Sequence, residues 1–269
     1  KLLERMEKSS RKTRRWISLN TMDGYSFLRR MGKVGESLYD TLRAAQSEQI
    51  MHVQEYVKTL QEKLLKDQQD GAKGVDLSRY IGDKQKTVTV TLSNGEKYTM
   101  TAAQAMTIVT LYEREAGKSH IENGGVRLVH PKDKTLSAAV ALKAADVAAI
   151  EQKLDADDRR VMKVMNDFIR EQCTEWGNEA TLERYGFHRF NAQHYFPITV
   201  DRNALPSNVS AEGAKDYLQF NVQNVGFAKA ADASAKAPVV IDSFINVINR
   251  HVEGMATYSA YLNAEDIVN

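Results

Sequence analysis

From about residue 36 to residue 67 the apolar positions return every three or four residues. Leu38, Leu42, Ala45, Val53, Val57, Leu60 and Leu64 follow that spacing, with Gln49 keeping the register. This is the period of a helix with one face turned to a core. The opposite face is rich in Gln, Glu and Lys, and Gly71 and Gly74 follow the polar run that ends the pattern. A short helix fits 76–81. The period then changes: Thr87 to Leu92 alternates and is β-branched, Ser93-Asn94-Gly95-Glu96 is a turn, and Lys97 to Met100 returns. The alternation and the Asn-Gly pair predict a β-hairpin over about 86–100, closed by a type I′ turn.

Helical spacing resumes at Thr101, whose hydroxyl and the Gln104 side chain form a capping-box pattern. The helix is expected to run from about 102 to 116 and to close at Gly117. Gly124-Gly125 marks a tight turn before a short extended piece, 126–129. The alanine-rich stretch 136–154 reads as helix in two pieces. Asp155 caps a long helix, 157–184, whose apolar face is Met162, Met165, Ile169, Cys173, Trp176 and Ala180. Cys173 lies on that face and is expected to be an inert core thiol. Pro238 suits the first turn of a last helix, 239–264, with a stripe of Ile241, Ile245, Ile248, Val252, Met255 and Leu262.

The densest feature is Tyr185–Arg202, YGFHRFNAQHYFPITVDR, which joins five aromatic residues to two histidines, a glycine and a proline. Gly186 stops the preceding helix, and Pro197 prevents a new one from forming at Phe196. A stretch this aromatic does not stay in water, so its rings are expected to plug gaps between helices. The alternative use is a recognition surface made of Phe187, His188, His194 and Tyr195.

Charge adds an asymmetry. The chain has a net charge of +2, yet residues 1–35 hold ten Lys and Arg against three acidic residues. Arg11, Lys12, Arg14 and Arg15 are the candidate nucleic-acid contacts of this basic segment. The rest, 36–269, reads as a helical domain with a possible subdivision near 71–85. No apolar run is long enough to span a membrane. One cysteine excludes an internal disulfide. No phosphate-loop, dinucleotide, HExxH, GxSxG or paired CxxC pattern occurs, so no cofactor, metal site or catalytic residue is assigned. A hidden enzyme would have to draw on His120, His188 or His194 with Glu122, near Arg127 and Arg189.

Three segments in this order carry a resemblance: the strand pair followed by TAAQAMTIVTLYEREAGKSHIENGGV (101–126), DRRVMKVMNDFIREQ (158–172), and YGFHRFNAQHYFPITVDR (185–202). Together they resemble a helical region of the very large multidomain "polyvalent" proteins of bacteriophages and conjugative elements. The resemblance covers about 85–262. Its most specific parts are the helix ending at Arg114 with His120 and Gly124-Gly125 after it, and Tyr195-Phe196-Pro197. It implies a bacterial or phage origin, with residence in the bacterial cytoplasm or in a virion that injects its contents. It also implies a non-enzymatic accessory role and flanking domains in a longer polypeptide, and it brings no catalytic residue with it.

The expected fold is therefore mainly α, an irregular bundle of six to eight helices with one β-hairpin on its edge. The leading expectation for function is a structural or interaction module whose partners are flanking domains, or phage or host proteins. Nucleic-acid binding through the basic segment comes second, and a histidine–carboxylate enzyme third.

Overall fold

A computed structural model describes residues 32–68, 71–82, 84–191, 195–201 and 237–262. The architecture is mainly α with a β-hairpin. Helix α1, Lys33–Leu60, runs on through a π turn, Gln61–Leu65. A 3₁₀ turn, Leu77–Tyr80, leads to β1, Thr87–Thr91, and β2, Lys97–Thr101, paired antiparallel with Val90 opposite Tyr98. Then come α2, Ala102–Tyr112, and α3, Glu115–Ser119, with a π turn, His120–Gly124. Strand β3, Val126–Leu128, and helix α4, Ala144–Gln152, follow. Helix α5, Ala156–Phe168, passes through the π turn Ile169–Cys173 into α6, Thr174–Tyr185. Strand β4, Val239–Ile241, and helix α7, Phe244–Leu262, complete the described residues.

The centre is α2. It contains no charged residue, and every position from Ala102 to Leu111 is buried. Such a helix needs partners on all sides, and the hairpin, α4, α5 and α7 supply them. Its start is fixed by the capping box: the Gln104 amide donates to Thr101 Oγ1 at 3.1 Å, and Gln104 Oε1 accepts from the Thr101 amide at 3.0 Å. One continuous apolar cluster links Tyr56 and Leu64 of the first helix, Val75 and Tyr80, and the hairpin's Val88 and Met100 to Met255 and Ala256 of α7.

The segment 76–86 is clamped to the start of α5. Asp158 is fully buried and accepts from the Tyr80 hydroxyl at 2.8 Å and from Lys86 Nζ. Arg79 bridges Asp155 and Asp157 at 2.5 and 2.9 Å. Burial alone would raise the Asp155 carboxyl. Hydrogen bonds from Lys86, the Asp158 amide and Arg79 outweigh it and hold Asp155 well below the usual carboxylate range. At the hairpin tip, Asp146 of α4 accepts from the Ser93 and Lys143 amides at 2.6 and 2.8 Å.

Five local expectations change. The hairpin turn is not type I′, because Asn94 keeps a negative φ and only Gly95 is left-handed, at 87°. Leu92 and Glu96 close a three-residue loop of the kind that needs one left-handed residue. Gly117 does not end the helix at 102–116. The chain breaks at Arg114, and Gly117 sits inside α3, where a Cβ would lie 2.0 Å from the Leu111 carbonyl oxygen. Residues 136–142 are extended, not helical, since Val140 bridges Val126 and Leu136 bridges Val129. Val239–Ile241 is a strand, and the last helix begins at Phe244. On the first helix Val57 is 46 % exposed, and Tyr56 faces the core in its place.

Candidate functional site

The aromatic stretch after α6 is mostly structural. Gly186 ends the helix in the left-handed conformation, at φ 77°. Asn178 then receives the chain: its Oδ1 accepts from the Phe190 amide at 2.8 Å, and its Nδ2 donates to the Phe190 carbonyl at 2.9 Å. The Phe190 ring meets Tyr258 edge-on at 5.6 Å, and Phe196 stacks on Phe244 at 5.6 Å. Tyr195 is buried beneath the Arg114 guanidinium, 5.7 Å away, and beside the His251 ring at 5.1 Å. Burial pushes the Tyr195 phenol up and pulls His251 down to about 3.

Of the three described residues among those expected to form a recognition surface, Phe187 and His188 are exposed. Tyr195 belongs to the core, and His194 lies outside the described residues. Arg11, Lys12, Arg14 and Arg15 also lie outside them. The described histidine and carboxylate candidates do not converge. His120 is buried, with Nδ1 2.9 Å from the Ala237 carbonyl oxygen. Glu122 instead accepts from the Tyr112 hydroxyl, and burial together with this bond pushes that phenol up to about 12. His188 stands on the exposed loop. Arg127 turns away from all of them, to the Ser137 carbonyl at 2.8 Å and to Asp201. Cys173 is fully buried, and burial raises its thiol. Among the described residues no group of three or more His, Cys, Asp or Glu could hold a metal ion, and no helix is long and apolar enough to cross a membrane.

What the aromatic stretch does build is a wall. After Phe196 and Pro197 the chain runs extended beside β4: the Val240 amide donates to the Thr199 carbonyl at 2.8 Å, and the Asp201 amide to the Pro238 carbonyl at 2.9 Å. Strands β3 and β4 pair in parallel, Arg127 opposite Val240, while the Val140 segment flanks β3 and the Val200 segment flanks β4. This small sheet turns Val126, Val239 and Ile241 into the core. On its outer side, Val240, Thr199 and Pro197 face the first three turns of α7 across a cleft of about 660 Å³. Thr107 and Leu111 of α2, and Val129, Lys134 and Leu136 of the 129–136 turn, also line it.

The α7 wall is polar. Asn246, Asn249, Arg250 and Glu253 recur at helical spacing and line the cleft with Val247. Asp242, just ahead of the helix, accepts from Arg250 at 2.9 Å and from Asn246 Nδ2 at 3.4 Å. Asn249 Oδ1 accepts from the Tyr56 hydroxyl at 2.9 Å. Lys134 enters from the turn, which is closed by the His130 amide donating to the Thr135 carbonyl at 2.8 Å. With φ at 61°, Lys134 is the one non-glycine among the described residues in the left-handed region, a position Asn or Gly takes at lower cost. Asn246, Asn249, Arg250 and Glu253 could have been noticed as the polar face opposite the isoleucine stripe. The facing wall comes from residues distant in sequence and left no local signal.

Comparison with protein-family models, with curated proteins and with solved structures gives no match.

Proposed function

We propose that this chain is a non-catalytic interaction module that holds a neighbouring polypeptide, as the resemblance to the helical region of polyvalent phage and mobile-element proteins implies. The observation that carries the reading is the cleft between the β4 sheet and α7. Its walls present Lys134, Glu253 and the amides of Asn246 and Asn249, each amide held by one bond within the fold. The carboxylates held below their usual range act as caps and struts: Asp155 at the start of α5, Asp146 at the start of α4, Asp133 within its turn. An anion fixed in this way, by amide donors and, at Asp155, by Lys86 and Arg79, is a structural acceptor.

Hydrogen–deuterium exchange tests this reading on the isolated chain and on the longer polypeptide that contains it. Slower exchange over 197–201 and 242–253 in the longer polypeptide supports the module. Identical exchange throughout 32–262 would count against it.

The basic segment supports a second reading, nucleic-acid binding through Arg11, Lys12, Arg14 and Arg15. Anisotropy titrations of DNA and RNA across a salt series, on the whole chain and on one starting at residue 36, decide it. Binding that weakens steeply with salt and vanishes on truncation supports this role. No binding at low salt removes it.

A further inference from the structure

We infer that the cleft between the β4 sheet and α7 binds an extended peptide segment, acidic where it meets Lys134 and basic where it meets Glu253. The inference rests on the interaction-module reading and names the chemistry of its partner. Its first support is the pair of asparagines. The Tyr56 hydroxyl donates to Asn249 Oδ1, which fixes that amide with its NH₂ group left to the cleft. Asn246 is oriented the other way: its Nδ2 goes to Asp242, leaving Oδ1 as an acceptor. One helical turn apart, a donor and an acceptor face the same space. A peptide group, with one C=O and one N–H, is the ligand that answers both.

The second support is the sign of charge along the cleft. Val129 of the 129–136 turn donates its amide to the Ile241 carbonyl at 3.0 Å, so Lys134 belongs to the end near the start of α7. Glu253 lies seven residues beyond Asn246 along the helix, about 10 Å at 1.5 Å per residue. An extended chain covers that span in about three residues. Among the described residues neither Lys134 Nζ nor the Glu253 carboxylate has a hydrogen bond or ion pair. Arg250, by contrast, is already neutralised by Asp242. The partner therefore meets an unpaired cation at one end and an unpaired anion at the other. Val240 and Val247, both half-buried, offer an apolar surface for the side chains between, with Leu111 enclosed beneath them.

The test uses the full chain and three capped pentapeptides with the same valine–threonine–valine centre. One carries aspartate at one end and lysine at the other, one carries two aspartates, and one two lysines. Methyl NMR shifts of Leu111, Val240 and Val247 locate and quantify binding. The mixed peptide is expected to bind best, and Glu253→Lys, at an exposed position, should move the preference to the doubly acidic peptide by roughly fivefold, the scale of reversing an exposed charge pair. Asn246→Leu should weaken all three alike. An unchanged ranking in Glu253→Lys, shifts elsewhere on the molecule, or no binding at millimolar peptide would overturn the assignment. In those cases hydrogen exchange in the longer polypeptide still decides the module reading separately, since protection on another face would keep the module and discard the cleft.

Discussion

Two regions of this protein spend their polar groups in opposite ways. At the start of α5, Asp155, Asp158, Arg79, Lys86 and the Tyr80 hydroxyl bond one another, and Asp158 is wholly enclosed. Along the cleft wall of α7, Asn246 and Glu253 stand in solvent. Enclosed polar groups must be satisfied because leaving one unpaired costs its full desolvation. Solvated ones carry no such obligation and are free to answer a partner. The first region is therefore where substitution should injure the fold, and the second is where it should injure recognition alone.

The sharpest way to break that contrast is Asp158→Ala. It leaves the Tyr80 hydroxyl and the Asp155 amide without their acceptor, while Lys86 keeps Asp155, and the expected cost is about 3 kcal/mol, the scale for leaving buried donors unpaired, read from chemical denaturation. A loss below about 1 kcal/mol would mean the clamp is ornamental. The aromatic stretch offers a matched pair next. Phe196→Ala should cost about 3–5 kcal/mol by opening a cavity against Phe244, while Phe187→Ala, at a ring 57 % exposed, should stay within about 0.5 kcal/mol. Equal effects would overturn the assignment of Phe196 to the core and Phe187 to the surface.

Acid should act on the buried side of α7. His251 titrates near 3 in the fold against an ordinary value near 6.5, because burial disfavours its charged form. The folded protein therefore keeps this histidine neutral. Its contribution to stability is fully present above about pH 6.5 and falls as the pH drops from there toward 3, by up to about 1.4 kcal/mol per unit. The carboxylates at the clamp weaken in the same direction at lower pH. The discriminating measurement is thus the difference between the parent and His251→Gln across pH 4 to 7, which should shrink steadily with acid. A difference that does not change with pH would show that His251 is not buried neutral. The smallest effect is expected at the cleft. Glu253→Lys should change stability by no more than about 0.5 kcal/mol, leaving its consequence in peptide preference.

What the sequence revealed was local. The alternation at 87–92, the Thr101–Gln104 box, Asp155 at a helix start and Gly186 at a helix end each depend on neighbours within a few residues, and each stands in the structure where the pattern put it. What it concealed depends on distant partners. Val239-Val240-Ile241 is β-branched, but Pro238 and the isoleucine spacing favour a helix start until Val126–Leu128 is known to lie alongside. Residues 136–142 have helical composition and are drawn out by the same sheet. The basic cluster and His194 lie outside the described residues, so those expectations stand as proposals. The cleft was half legible: its α7 wall follows from one periodicity, and its sheet wall from none.

The hydrogen bond from the Asp201 amide to the Pro238 carbonyl has a consequence for the order in which the molecule assembles. It joins two backbone positions far apart in sequence, as does the pairing of β3 with β4, whereas β1 and β2 are neighbours along the chain. Pairing of distant positions must meet the entropy of bringing them together before its contacts offset it, and a hairpin bears little of that cost. The β3–β4 sheet, and the cleft with it, is therefore expected to assemble after the hairpin and α2.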